Sequence, residues 1–310
     1  MTSIPTAPMP TGEVLDFGFG LYRRCWRVCV PISIIALVPL SLGEALVFES
    51  TLVPDNPAGA DPLAALVALG PQLTVFVAWS FVSALMGLVG SAAVTATMHG
   101  SATGQSFSVG GAFRAVVSRL GALIGAHLIK LVFVVGAVIF ATIVWLVING
   151  VILGLAGAGE GFVVALATFF VFLAAGALGW VYIEGRMFAL TPVLMIEGCR
   201  GPESVRRSWK LASGGALKVG AVLILAAFLL YTPYFTILAL TGTLIPLLAG
   251  DVATSSGSWM GPAVGAIVSA AIWPLAAGIR LGFYYDRRVR TEGFDIEAAA
   301  RRMASGGPGR

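Results

Sequence analysis

Leu131 to Leu153 reads "LVFVVGAVIFATIVWLVINGVIL", a run without a single charged residue. A helix rises about 1.5 Å per residue, and about 20 mostly apolar residues cross the hydrocarbon of a bilayer. The run is therefore long enough to span a membrane. The rest of the chain agrees with it. Of 310 residues, 58% are hydrophobic and only 11% charged, and the mean hydropathy is +0.93. A soluble domain averages about 45–50% apolar and about 25% charged residues. So large an excess exceeds what one buried core can hold, and lipid must be the solvent for much of the surface. A single soluble domain is excluded.

Five further stretches qualify as spans: about Cys29–Phe48, Gln72–Thr97, Gly161–Ile183, Leu217–Leu240 and Met260–Leu281. Lys and Arg alternate with them. Arg23, Arg24 and Arg27 precede the first span. Arg114, Arg119 and Lys130 lie between the second span and the third. Six cations, from Arg186 to Lys218, lie between the fourth and the fifth, and seven run from Arg280 to Arg310. The connections after spans one, three and five hold no Lys or Arg but carry Glu49, Asp55, Asp61, Glu160 and Asp251. Cytoplasmic loops are the basic ones, so both termini are expected in the cytoplasm. The start, "MTSIPTAPMPTGEV", has neither the basic segment nor the short apolar run of a cleavable signal. The first span is then expected to act as an uncleaved anchor.

"YRRCWRV" at Tyr22–Val28 and "VRRSWKL" at Val205–Leu211 share one pattern, apolar-Arg-Arg-small-Trp-basic-apolar. "FRAVVSRL" at Phe113–Leu120 is a looser copy. Each leads into a pair of spans. The expected fold is all-α: an integral bundle of six transmembrane helices with three cytoplasmic amphipathic juxtamembrane helices, arranged as three repeated hairpins. Its parts are a flexible start (1–12) and one membrane domain (13–303), followed by a flexible tail (304–310). The hairpins cover about 13–99, 108–186 and 201–285, and a cytoplasmic segment covers 286–303. In the lead-in helix at 201–211, Pro202 and Glu203 suit a first helical turn. Val205 and Trp209 share an apolar side, with Arg206, Arg207 and Lys210 opposite. Such helices lie among headgroups with their cations toward anionic lipid. Arg23, Arg24, Arg27, Arg114, Arg119, Arg206, Arg207, Lys210, Arg287, Arg288 and Arg290 are thus candidate lipid or partner contacts. The alternative is that they only set topology.

Ionisable groups inside a membrane merit a functional hypothesis. Glu44 sits in the outer part of span one, reaching outer water or serving a proton or cation. Lys130 lies at the inner boundary of span three, where its stem can snorkel, and forms a polar stripe with Arg119 and His127. Glu184 and Arg186 read as interfacial. In "YTPYFT", Tyr231–Thr236, Pro233 removes a backbone donor, and Tyr231 and Tyr234 offer compensating hydrogen bonds as in broken transporter helices. The charged end, "FYYDRRVRTEGFDIEAAARRM" at Phe283–Met303, begins with tyrosines suited to the interface and continues with cations suited to a helix C-terminus. Gly293 can end that helix in a left-handed conformation, and Asp295 can cap a short second one. Asp286, Glu292 and Asp295 are candidates for a clasp that holds the basic helices by salt bridges.

No metal, cofactor or catalytic residue is expected. The chain lacks a GxxxxGK[ST] phosphate loop, an HExxH motif and a GxSxG elbow, and His99 and His127 are its only histidines. Cys25, Cys29 and Cys199 lack metal-site spacing and read as reduced thiols.

Three segments resemble the bacterial glycerophosphoryl diester phosphodiesterase membrane-domain family of polytopic proteins: "GEVLDFGFGLYRRCW" (Gly12–Trp26), "GPESVRRSWKL" (Gly201–Leu211) and "YYDRRVRTEGFDIE" (Tyr284–Glu297). In some members that membrane region is fused to a soluble phosphodiesterase barrel. This chain has no room for the barrel and lacks its histidines and clustered acids, so the resemblance implies a helical membrane domain without that activity. The expectation is a non-enzymatic component of the bacterial cytoplasmic membrane. It would work with anionic headgroups or with a membrane or cytoplasmic protein, and not with nucleic acid. A transporter or channel subunit is the alternative, and an intramembrane enzyme the third.

Overall fold

A computed structural model describes residues 4–5, 7–51, 62–240 and 260–293 of the chain. Among them there is no strand. The helices are α1 (Thr11–Thr51), α2 (Pro62–Thr103), α3 (Val109–Val117), α4 (Leu120–Arg186), the single turn α5 (Leu190–Pro192), α6 (Gly201–Leu211), α7 (Ala216–Ala239) and α8 (Met260–Glu292). A π-helical turn, Val193–Glu197, follows α5. Six helical segments are long and apolar enough to cross a membrane. The chain is a multi-pass, all-α membrane protein.

Helix α4 is a hairpin, not a rod. Along a straight helix, Lys130 and Glu184 would stand about 80 Å apart. Instead Lys130 Nζ lies 2.6 Å from Glu184 Oε2. Nearer the turn, Thr168 Oγ1 donates to Asn149 Oδ1 at 2.8 Å, and Trp145 lies edge-on to Phe169 and tilted against Phe172, at 5.8 and 5.5 Å between ring centres. A Cβ on Gly161 would sit 3.4 Å from Leu153 Cα. Backbone hydrogen bonding is helical throughout, but the direction reverses between Leu155 and Gly161, in the glycine-rich "AGAGEG". The two arms, Leu120–Leu155 and Val163 onward, are spans three and four.

The chain divides into two compact units. The first holds residues 9–120 and 226–282 with a few N-terminal residues. There α1 and α2 run antiparallel, with Trp79 Nε1 donating to Leu40 O at 3.3 Å and a Cβ on Gly90 meeting Ala36 and Trp273. Gly18 of α1 meets Gly278 of α8 backbone to backbone, and Tyr22 Oη donates to Ala271 O at 2.6 Å. Cys29, Ile32, Ala92, Ala93 and Met98 are fully buried in this unit. Small residues dominate such contacts because lipid supplies no hydrophobic drive, so close backbone approach must bind the helices.

The second unit holds 121–225 and 283–310 with Thr6–Pro8. The second arm of α4 crosses α7 at Gly185 and Gly220. A Cβ on either would overlap a carbonyl oxygen, of Ala216 or Val181. Helix α6 buries Gly201, Ser204, Val205, Ser208 and Leu211, one stripe at helical spacing. Its first residue rests on the base of α4, 3.2 Å from Ala122 O and Ala126 N by the position a Cβ would take.

One expectation changes. The first basic segment is not a separate juxtamembrane helix. Arg23, Arg24 and Arg27 lie inside α1, which runs without a break from Thr11, whereas α3 and α6 stand apart from the spans they precede. Nothing between Tyr22 and Val28 stops a helix, while the α6 and α7 hydrogen bonding is interrupted by Gly214 at φ +73°. Tyr284 and Tyr285, expected to suit the interface, are buried within the protein, at 0% and 1% exposure. Gly293 does end α8 in the left-handed region, at φ +60°.

Candidate functional site

The densest polar cluster among the described residues lies in the second unit, where the π-turn, α6 and the last turns of α8 meet. The π-turn places Glu197 at its end, and Gly198 at φ +71° turns the chain away. Arg207, on α6, presents one edge of its guanidinium to Glu197, Nε to Oε2 at 2.7 Å and Nη2 to Oε1 at 3.1 Å. A second pair of bonds reaches Glu292 of α8, Nη2 to Oε2 at 2.7 Å and Nη1 to Oε1. Forked pairs of this kind are the strong form of the carboxylate bond. Hydrogen bonds from Arg207 to Glu197 and to Glu292 push the guanidinium pKa above its ordinary value.

Two residues of α8 complete the cluster. Tyr284 Oη donates to Glu197 Oε1 at 2.8 Å. Arg288 reaches Glu292 at 3.3 Å and Glu197 at 3.9 Å, with its guanidinium carbon 5.7 Å from the Tyr284 ring centre. Two cations face two carboxylates, so the cluster is neutral and its partners are internal. Nearby, Arg287 Nε donates to Leu211 O at 2.9 Å and its Nη2 to Ser213 O. It thereby satisfies the carbonyls left open at the C-terminus of α6, where positive charge is favoured. Arg290 bonds Asp286 one turn back at 2.9 Å.

The cations named from sequence separate into two groups. Arg207, Arg287 and Arg288 are bound within the protein. Arg206 and Lys210 point outward from α6, exposed and with no carboxylate partner among the described residues. Arg23, Arg24, Arg27 and Arg114 are exposed as well, and Arg27 lies 5.8 Å from its neighbour Trp26. Arg119 is half-buried. For the proposed clasp, Glu292 meets α6 through Arg207, whereas Asp286 bonds its own helix through Arg290. Asp295 and the Glu44 side chain lie outside the described residues.

Among the intramembrane candidates, Lys130 turns to Glu184 of the facing arm, both largely buried. His127 Nδ1 faces Leu123 O of its own helix at 3.0 Å. Tyr234 lies across Gly265 of α8. Tyr231 borders a cavity of only about 10 Å³ beside Trp273 and Ser269, room for about one water. Helix α7 continues through Pro233, and Thr232 Oγ1 donates to Phe228 O at 2.8 Å. Among the described residues, this small cavity beside Tyr231 gives the transport alternative no solute-sized space at that position, while the side chain of Glu44, on which it also rests, lies outside them.

Glu197 was not singled out by sequence reasoning. Its "IEGCR" setting looks like a loop acid, and only the π-turn aims it at α6. The Lys130–Glu184 pair had a sequence signal. The two stand 54 residues apart, and the point midway between them is Gly157, inside the glycine-rich turn. No protein family, curated protein or solved structure matches the chain.

Proposed function

We propose that this chain is a non-enzymatic component of a bacterial cytoplasmic membrane, with both termini cytoplasmic, that engages anionic headgroups or a partner through its basic face. The observation that carries the reading is the division of labour on α6. Arg207 is turned inward and neutralised, while Arg206 and Lys210 one turn apart are turned outward and are not. Cations used only for internal structure would be paired as Arg207 is. Unpaired outward cations on a helix at a basic end suit anionic headgroups at about 1 kcal/mol each. The resemblance to the glycerophosphoryl diester phosphodiesterase membrane domains fits this reading. Two of the three segments that carry it, Gly201–Leu211 and Tyr284–Glu297, meet each other through Arg207 and Glu292.

The test is lipid preference. In nanodiscs of mixed anionic and zwitterionic phospholipid, Arg206→Gln/Lys210→Gln should lower the anionic fraction retained on purification while leaving thermal stability unchanged. An unchanged anionic fraction, together with unchanged capture of partners from the native membrane, would overturn the reading.

A further inference from the structure

The arms of the α4 hairpin do not pack along their whole length. Between them runs a groove of about 490 Å³, walled by Val134, Ala137 and Val138 of the first arm and by Phe172, Gly176 and Trp180 of the second. That is a volume typical of ligand sites, about 300–1,000 Å³. Its wall on the second arm extends from Phe172 to Ile183, about 17 Å of helix. Gly176 and Gly179 form part of the groove, and a Cβ on either would touch nothing within 4 Å. The space is open and its walls are apolar.

Charged residues adjoin one end of the groove in sequence. Lys130 precedes Val134 by one helical turn, and Glu184 follows Ile183. They pair with each other. Arg186 comes seven positions after Gly179 and three after Ile183, at the edge of the same face. Its guanidinium lies over Tyr182 at 5.1 Å and Trp209 at 5.6 Å. Nε donates to Tyr182 Oη at 2.9 Å and Nη1 to Trp209 O at 3.4 Å. No carboxylate accepts from Arg186 among the described residues, and the half-exposed fork keeps further N–H donors open. Arg186 thus stands just beyond the last lining residue, Ile183, as one uncompensated positive charge held in place by two aromatic rings.

We propose that this groove binds one phospholipid, an acyl chain lying between the arms and the phosphate on Arg186. The inference rests on the membrane-component reading above and gives it a defined site. An apolar trough with an oriented guanidinium just beyond it complements an amphiphile with an anionic head. Free phosphate has no use for the trough. A transmembrane helix of a second copy would fill the trough but leave Arg186 without an anion.

Native mass spectrometry of the full chain, released from nanodiscs, tests the site. The probes are a phosphatidylglycerol and a diacylglycerol with the same chains. The wild type should retain one phosphatidylglycerol and bind it about tenfold more tightly than the diacylglycerol, the worth of a charge-assisted contact. Gly176→Leu or Ala137→Leu should abolish retention of both while the chain stays folded. Arg186→Gln should bind both lipids equally. If all three variants retain lipid as the wild type does, the site is wrong. A wild-type dimer that Gly176→Leu dissociates would also overturn it, because the groove would then hold a second copy. Arg206→Gln/Lys210→Gln, run in parallel, separates the two readings. If this variant alone loses anionic lipid, the groove site falls and the basic-face reading stands. If no variant changes lipid binding, both fall.

Discussion

Arg207 carries more of the structure than its neighbours in the sequence. It joins the π-turn to α8 by taking a carboxylate from each. Removing a paired charge from a largely buried site leaves its partners uncompensated and costs on the order of 3 kcal/mol. Arg207→Ala is therefore expected to lower the unfolding midpoint in detergent markedly. Arg207→Lys, which keeps the charge but loses the fork, should fall between the two. Equal midpoints for all three would show that the cluster is not structural. The sequence displays Arg206, Arg207 and Lys210 as equivalent cations on one polar side. What separates them is the direction of a single residue on a helix whose buried stripe runs through Ser204 and Ser208. That stripe is weakly hydrophobic, so hydropathy could not locate it. Glu197 was hidden for a related reason: a π-turn has no periodic signature from which an acid's direction can be read.

Among the elements, the α4 hairpin is both the most legible and the most incomplete in sequence. Its two spans and their reversal follow from apolar length, glycines and the alternation of charge. Its internal register does not, because apolar arms in lipid have no hydrophobic reason to meet at one offset. Polar pairs supply the offset, Lys130 with Glu184 near one end and Asn149 with Thr168 nearer the turn. Lys130→Met should destabilise the chain by about 3 kcal/mol by stranding Glu184. Adding Glu184→Met should recover most of that loss, a coupling that a double-mutant cycle in thermal unfolding measures. Additive losses would mean that the two groups act independently. The first lead-in segment shows the opposite error of reading. The likeness of "YRRCWRV" to "VRRSWKL" implied a separate helix, yet a shared motif does not contain a stop signal. The chain after α6 breaks at Gly214, whereas α1 runs on after Val28 even through Pro31.

For the whole molecule, six helical segments long and apolar enough to cross a membrane include three reversals, and the proposed topology puts the basic segments on the cytoplasmic side and the acidic connections opposite. The antiparallel runs of α1 with α2, the two arms of α4, and α7 with α8 at Tyr234 and Gly265 supply the reversals. In a background with Cys25, Cys29 and Cys199 replaced by serine, single cysteines at Glu160, in the α4 turn, and at Ser213, after α6, report the two sides. A membrane-impermeant maleimide added to intact cells should label Glu160→Cys. It should reach Ser213→Cys only after permeabilisation. Labelling of both sites from outside, or of Ser213→Cys alone, would contradict the hairpin topology and with it the basic cytoplasmic face.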